Sequence, residues 1–261
     1  MLQSDVCVAG TAKPRAAGGK SRRAGKEPKM TSMKEQTFGV EVEMVCSRKL
    51  AAQTVAAYFG TEAEYTGGAY KAWRVPDTEG RRWTLERDAS IAAPDDDRCE
   101  FVTPICTWKD IETVQNLIRK LRENGARAHS SCGIHVHIGA GEHTPKTLRN
   151  LVNIVNAHED LLTQSLQISP ERRTQWCKEV DQSFLERLNR QKPRTSEALA
   201  RLWYNDTDWR FHTQYHYDGS RYHLLNLHAY WTKGTVEFRA FNATMHAGEI
   251  KAYIQLCMAI S

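Results

Sequence analysis

The chain has 261 residues, of which 41% are hydrophobic and 26% charged, with a net charge of +5 and seven cysteines. These proportions fit a soluble globular protein, and no apolar run approaches the ~18–20 residues that a membrane helix needs. The whole charge excess lies in residues 1–35, where eight Lys/Arg stand against three acids. The neutral remainder argues against a nucleic-acid binder.

The N-terminus has no apolar core segment and does not read as a secretory signal. Residues 1–35 are rich in Gly, Ala, Lys and Arg, so a disordered basic tail is expected there, followed by a single folded domain over 36–261. The cysteines are scattered and none forms a C-x-x-C pair, which excludes zinc ribbons and thioredoxin-like redox sites. Free thiols suggest a reducing, cytoplasmic compartment.

The first element is "TFGVEVEMVC", an alternating strand from Thr37 to Cys46. A helix follows, capped by Ser47 and closed by Gly60. Residues 61–90 read as short strands, including "AYKAWRV" and "RWTLERDAS", and "CEFVTPI" is another strand, stopped at Pro104. The stretch from Thr107 to Gly125 carries apolar residues at helical spacing between a cap and a terminating glycine. "CGIHVHIGA", from Cys132 to Ala140, is a strand with two histidines. Thr144 and Pro145 open a long helix, and two more are expected around 171–190 and 196–204. "SRYHLLNLHAYW" and "TVEFRAFNA" read as strands of a hairpin turning at Gly234. Ile250, Tyr253, Ile254, Cys257 and Met258 mark a last helix. Its pattern stops without a cap, as it would if the chain were a fragment of something longer. The order β, α, β with long helices between antiparallel-looking strands predicts an α+β sheet with helices packed on one side.

Three strands share one feature. Successive side chains of a strand point to opposite faces. Glu41 and Glu43 therefore oppose Val40, Val42 and Met44. His135 and His137 oppose Ile134, Val136 and Ile138, and Glu237 and Arg239 oppose Val236, Phe238 and Ala240. If these strands are neighbours, one face gathers carboxylates, imidazoles and a guanidinium. Crowded carboxylates repel one another and take up protons, and a divalent cation removes that conflict. Such sites suit Mg2+ or Mn2+, which commonly bind substrate phosphates as well. Glu100 is a further carboxylate candidate, Asp88 lies just upstream, and Arg221 and Arg239 suit phosphate oxygens.

Each motif also has a plainer reading. E-x-E on an amphipathic strand is most often a solvated face, and E-F-R an exposed ion pair. H-x-H most often binds metal when it is functional, which opens a second reading as a zinc-dependent hydrolase. The other eight histidines read as surface or core polar residues. Cys132 reads as a small packed residue. The aromatic cluster of Trp203, Tyr204, Trp209, Phe211, Tyr215 and Tyr217 reads as packing, or as the lining of a substrate groove.

The order "FGVEVEM", "DASI", "CEFVTP", "CGIHVHIGA", "RYHLLNLHA" and "GTVEFRAFNAT" resembles the amidoligase family, within the superfamily of carboxylate–amine ligases that includes glutamine synthetase and glutamate–cysteine ligase. The resemblance runs from Phe38 to the C-terminus. It implies a curved antiparallel sheet like the glutamine synthetase catalytic domain, binding ATP and Mg2+ on its concave face. The implied activity joins a small-molecule or peptide carboxylate to an amine through an acyl phosphate. Carried over by position, Glu41, Glu43, Glu100 and Glu237 are metal ligands. His135 lies near metal and nucleotide phosphates, and His137 orients or joins it. Arg221 and Arg239 contact phosphates or the substrate carboxylate. Asp88 and Arg173 match weaker positions, Arg173 toward the nucleotide. The basic tail is no part of the family pattern. An inactive binding module on the same fold is the third reading.

Overall fold

Alternation between apolar and polar residues organises the sheet, and the helices follow from it. A computed structural model of the chain describes residues 32–205 and 208–261. β1 (Thr37–Val45) leads into α1 (Arg48–Phe59), with the Ser47 side chain accepting from the Leu50 N–H and Gly60 in the left-handed region at φ 69°. β2 (Glu64–Gly67), β3 (Ala72–Pro76), β4 (Arg82–Glu86) and β5 (Arg98–Val102) form the first side of the sheet. β6 (Cys106–Thr107) and a short 3-10 turn precede α2 (Ile111–Glu123). β7 (Gly133–Gly139) is followed by α3 (Pro145–Ser165), whose N-cap is Thr144. Then come α4 (Pro170–Gln175), α5 (Gln182–Gln191), α6 (Ser196–Trp203) and α7 (Trp209–His212). β8 (Leu225–Asn226), α8 (His228–Thr232), β9 (Thr235–Asn242) and α9 (Ala247–Ile260) complete the described order.

The nine strands form one open sheet in the order β2-β3-β4-β5-β1-β7-β9-β8, with β6 pairing the start of β1. Every pair is antiparallel. An α+β fold with antiparallel strands was expected, and β1, β7 and β9 are indeed neighbours. Their apolar sides (Val40, Val42, Met44, Ile134, Val136, Ile138, Val236, Phe238 and Ala240) are all buried. α1, α2 and α9 pack on this side: α9 against β7, β1 and α2, and α1 against β3 and β4. Trp83 stacks on Phe101 across β4 and β5, ring centroids 5.7 Å apart. Tyr253 of α9 stacks on Phe241 at 4.2 Å.

Three expectations need correction. The helix expected around 171–190 is two, α4 and α5, because the chain between them bridges Lys178 to His223 before Asp181 caps α5. The strand expected over "SRYHLLNLHAYW" pairs only at Leu225–Asn226. There Asn226 Oδ1 accepts the His228 N–H at 2.8 Å, an Asx turn that starts α8 in place of a tight hairpin. Gly234 does take φ 69° just before β9. Helices also do not keep wholly to one side, since Arg172 of α4 reaches the polar face at Gly133. The basic tail lies outside the described residues as far as residue 31. Among those described, the six cysteines are free, and no helix is long and apolar enough to cross a membrane.

The apolar side of β7 is what holds its histidines in place. Ile134 is fully buried, so Ile134→Ala is expected to cost about 2–5 kcal/mol and Ile134→Val about 0.5–1.5 kcal/mol. Urea unfolding followed by circular dichroism measures both.

Candidate active site

Strand register brings acids face to face. Glu43 of β1 sits opposite Glu100 of β5, and Glu100 sits opposite Glu86 of β4, so three glutamates line up across three neighbouring strands. On the other flank of β1, Glu41 faces His135, and His137 faces Glu237. Like charges directly opposite each other destabilise a sheet. Glu43, Glu100, His135, His137, Glu237 and Arg239 are all at most 8% exposed, so water does little to relieve the repulsion.

The groups settle into a definite pattern. His135 Nδ1 lies 3.0 Å from Glu41 Oε2. Lys233 donates to Glu41 Oε1 at 2.8 Å. The Gly133 N–H donates to Glu43 Oε2 at 2.6 Å. Glu237 accepts from Arg239 through Oε1 and from Asn226 Nδ2 through Oε2, the latter at 2.6 Å. His137 Nδ1 is held by Thr235 Oγ1 at 2.9 Å. Its Nε2 lies 3.2 Å from Glu41 Oε1 and 3.7 Å from Glu237 Oε1, yet meets no acceptor in hydrogen-bonding geometry. A buried ring nitrogen aimed between two carboxylates, with its other nitrogen fixed from behind, is the arrangement of a metal-ligating histidine.

Three sets of ligand atoms each fall within 4.8 Å among the described residues: Glu41, Glu100 and His135; Glu41, His137 and Glu237; Glu43, Asp88 and Glu100. Carboxylate-rich sets with at most one imidazole fit Mg2+ or Mn2+. His135 and His137 fall in different sets, which removes the pairing that the zinc reading needs.

Proton affinities follow the same division. Burial, with the charge of Asp88 added, raises Glu43 to about 7, although Arg172, the Gly133 N–H and Arg239 pull the other way. Burial together with Glu41 and Asp88 raises Glu86 to about 7. Glu100, buried among Glu41, Asp88, Glu86 and Glu43, is raised well above the usual range. Burial would also raise Glu41, but Lys233, His137 and His135 outweigh it and hold Glu41 well below its ordinary value. Glu237 is likewise held low, its burial outweighed first by Arg239. Burial, reinforced by Arg239, lowers His135 to about 4, so its ring is neutral near neutral pH.

The structure thus gathers Glu41, Glu43, Glu100, Glu237, His135, His137 and Arg239, and Asp88 joins them. Arg221 stands at the rim. Its guanidinium lies 5.6 Å from the centre of the Tyr222 ring, which also faces the Arg239 guanidinium at 5.8 Å. Arg173 lies elsewhere: it is exposed and pairs with Glu179 at 2.5 Å. Its neighbour Arg172 is the inward residue, 3% exposed, donating to the Arg239 carbonyl at 2.8 Å and facing the charge of Glu43. Arg172, Lys233, Asn226 and Glu86 escaped the sequence reading. Only Glu86 had a clear signal, since it continues the alternation of Trp83 and Leu85.

Acids, imidazoles and cations thus gather on one sheet face, with three acid-rich sets among the described residues that could hold a metal ion. A family model described as "Putative amidoligase enzyme" matches residues 34–261, and the chain belongs to that family. Membership implies amide-bond ligation. No curated protein and no solved structure matched the chain.

Two outcomes test this geometry. A Cβ at Gly133 would meet the Arg172 guanidinium, so Gly133→Ala is expected to cost about 1–3 kcal/mol in a denaturant titration. Glu43 and Glu86 bind protons more tightly folded than unfolded: the folded values are about 7 and the ordinary value is 4.5. Their contribution to the stability of the metal-stripped protein should therefore fall as pH rises from about 4.5 to about 7, opposite in sign to that of His135. A Glu43→Gln, Glu86→Gln variant should gain in melting temperature relative to wild type over that range. Thermal melting in EDTA reads this, and added Mn2+ should raise the melting temperature most at the alkaline end.

Proposed function

We propose that the chain is an ATP- and Mg2+-dependent carboxylate–amine ligase that forms an amide or isopeptide bond through an acyl phosphate, with Mn2+ able to replace Mg2+. The observation that carries this reading is the Glu43–Glu100–Glu86 row, on the same sheet face as a His137 Nε2 that meets no acceptor in hydrogen-bonding geometry. A protein keeps such a row when a divalent cation is its partner. Kinship with the catalytic sheet of glutamine synthetase and glutamate–cysteine ligase belongs to the same reading, and the open antiparallel sheet with its polar face supports it.

Glu41, Glu43, Glu100 and Glu237, with Asp88 and His137 Nε2, would hold the metal. When bound, the metal neutralises the carboxylates and the phosphate oxygens. The acid substrate's carboxylate oxygen attacks the γ-phosphorus and the bond to ADP breaks. The amine nitrogen then attacks the acyl carbon, phosphate leaves, and the nitrogen loses a proton. Phosphoryl transfer of this kind needs positioning and charge neutralisation more than a protein nucleophile.

The chain's own residues fit those needs. Arg239 presents a buried guanidinium whose Nε has no hydrogen-bond partner, suited to an anionic oxygen. Arg221 adds a second guanidinium at the rim. His135, neutral and fixed on Glu41, orients that carboxylate. Arg172, bonded to the Arg239 carbonyl, acts on Glu43. A peptide or small-molecule acid with an amine partner is the substrate class, and cytosol is the compartment this reading fits.

The test is ADP release from the purified chain with Mg-ATP against a panel of acids and amines, with mass spectrometry of the product. Release is expected only when both an acid and an amine are present. Glu237→Gln should lower kcat/KM by about a hundredfold or more with the far-ultraviolet spectrum unchanged. ADP release indifferent to acid and amine, or a Glu237→Gln variant of full activity, would overturn the reading.

A further inference from the structure

Lys233 was read from sequence as part of a turn, yet it sits inside the acid cluster. Its ammonium donates to Glu41 Oε1 at 2.8 Å, the oxygen that His137 Nε2 approaches to 3.2 Å. Glu41, His137 and Glu237 form one of the sets able to hold a metal ion. Lys233 also feels the charges of Glu237 and Glu100. Three acids assigned to metal therefore hold this one ammonium.

A divalent ion and the ammonium seek the same oxygen. An ion about 2.1 Å from Oε1 and an ammonium 2.8 Å from it stand no more than about 5 Å apart, whatever their directions. Two cations that close, in a cleft shielded from water, repel strongly. The lysine has room to yield. Its side chain is 22% exposed, its stem is four carbons long and flexible, and it stands between the end of α8 and Gly234.

We propose that Lys233 is a resident counter-cation of Glu41, which a divalent ion displaces toward the open side of the cleft, where its charge faces an anionic substrate group. The proposal rests on the metal reading given above. Lys233 acts on the metal through Glu41 and is in that sense a positioning residue. Competition has a sign that a merely structural lysine lacks, because removing the competitor tightens metal binding.

The experiment measures Mn2+ affinity of metal-stripped wild type, Lys233→Met and Lys233→Arg by electron spin resonance of the free ion. Lys233→Met is expected to bind Mn2+ about tenfold more tightly than wild type, and Lys233→Arg about as wild type does. In parallel, reductive methylation of wild type followed by peptide mass spectrometry should show labelling of Lys233 rising several-fold when Mg2+ is added. This second measurement needs no variant and stands even if Lys233→Met does not fold. Equal or weaker Mn2+ binding by a folded Lys233→Met, or labelling indifferent to Mg2+ in a protein that binds the ion, overturns the role of Lys233 and leaves the metal reading intact. If neither wild type nor the folded variants bind Mn2+, the metal reading falls and this proposal falls with it.

Discussion

Carboxylates facing each other on adjacent strands are the constraint around which the molecule is arranged. Glu86, Glu100 and Glu43 form a row across β4, β5 and β1, with Glu41 also on β1 and Glu237 farther along the sheet on β9. Removing one partner of a buried charge pair typically costs several kcal/mol, because it leaves the other charge uncompensated. Compensation is accordingly distributed over the chain. Arg239 and Asn226 serve Glu237, Lys233 and His135 serve Glu41, and the Gly133 N–H and Arg172 serve Glu43. These partners come from β7, β8, β9, α4 and the turn after α8. The middle of the sequence has to fold back over the polar face to deliver them.

Compensation is uneven, and the unevenness has chemical content. Glu41 and Glu237 have cations in contact and are held ionised, whereas Glu43, Glu86 and Glu100 favour protons. The β9–β7 flank is thus electrically complete from the chain's own residues. The β5–β4 flank is not, and it gains most from an external cation.

The strand-borne part of the site was legible because period-two alternation is local: each of β1, β7 and β9 carries its apolar and polar faces in plain view. Strand order and register were not local, yet the shared pattern was enough to make the three neighbours. Residues off the strands were hidden for physical reasons. Arg172 and Arg173 are adjacent, and which one turns inward depends on how α4 docks beside Gly133. The two differ in nothing that composition reveals, and the residue expected to face the site, Arg173, is the one that turns outward to Glu179. Lys233 stands in "TKG", where a lysine is by default a solvated turn residue. Asn226 lies in a two-residue strand, too short for periodicity to register, and its side chain shapes the Asx turn that broke the expected hairpin.

The open sheet leaves one further demand, since an unclosed sheet has two edges that can move apart and carry the acid row with them. One exposed contact joins segments from the two edges. Tyr70, in the turn between β2 and β3, meets Tyr217, in the segment leading to β8, hydroxyl to hydroxyl. Those two elements lie at opposite edges of the sheet. The Tyr70 turn is fixed by its carbonyl, which accepts the Arg87 N–H at 2.8 Å. The other side is fixed by the His212–Asp218 pair at 2.5 Å and by Tyr204, whose hydroxyl reaches His228 Nδ1 at 2.5 Å. His216, beside Tyr217, feels the charges of Lys233, Arg221 and Glu41, so this segment passes close to the acids it spans. Phe211, Tyr215 and Tyr217 remain exposed along it. The aromatic cluster therefore divides by depth: Tyr204 is buried and anchors the segment, while these three keep their rings exposed.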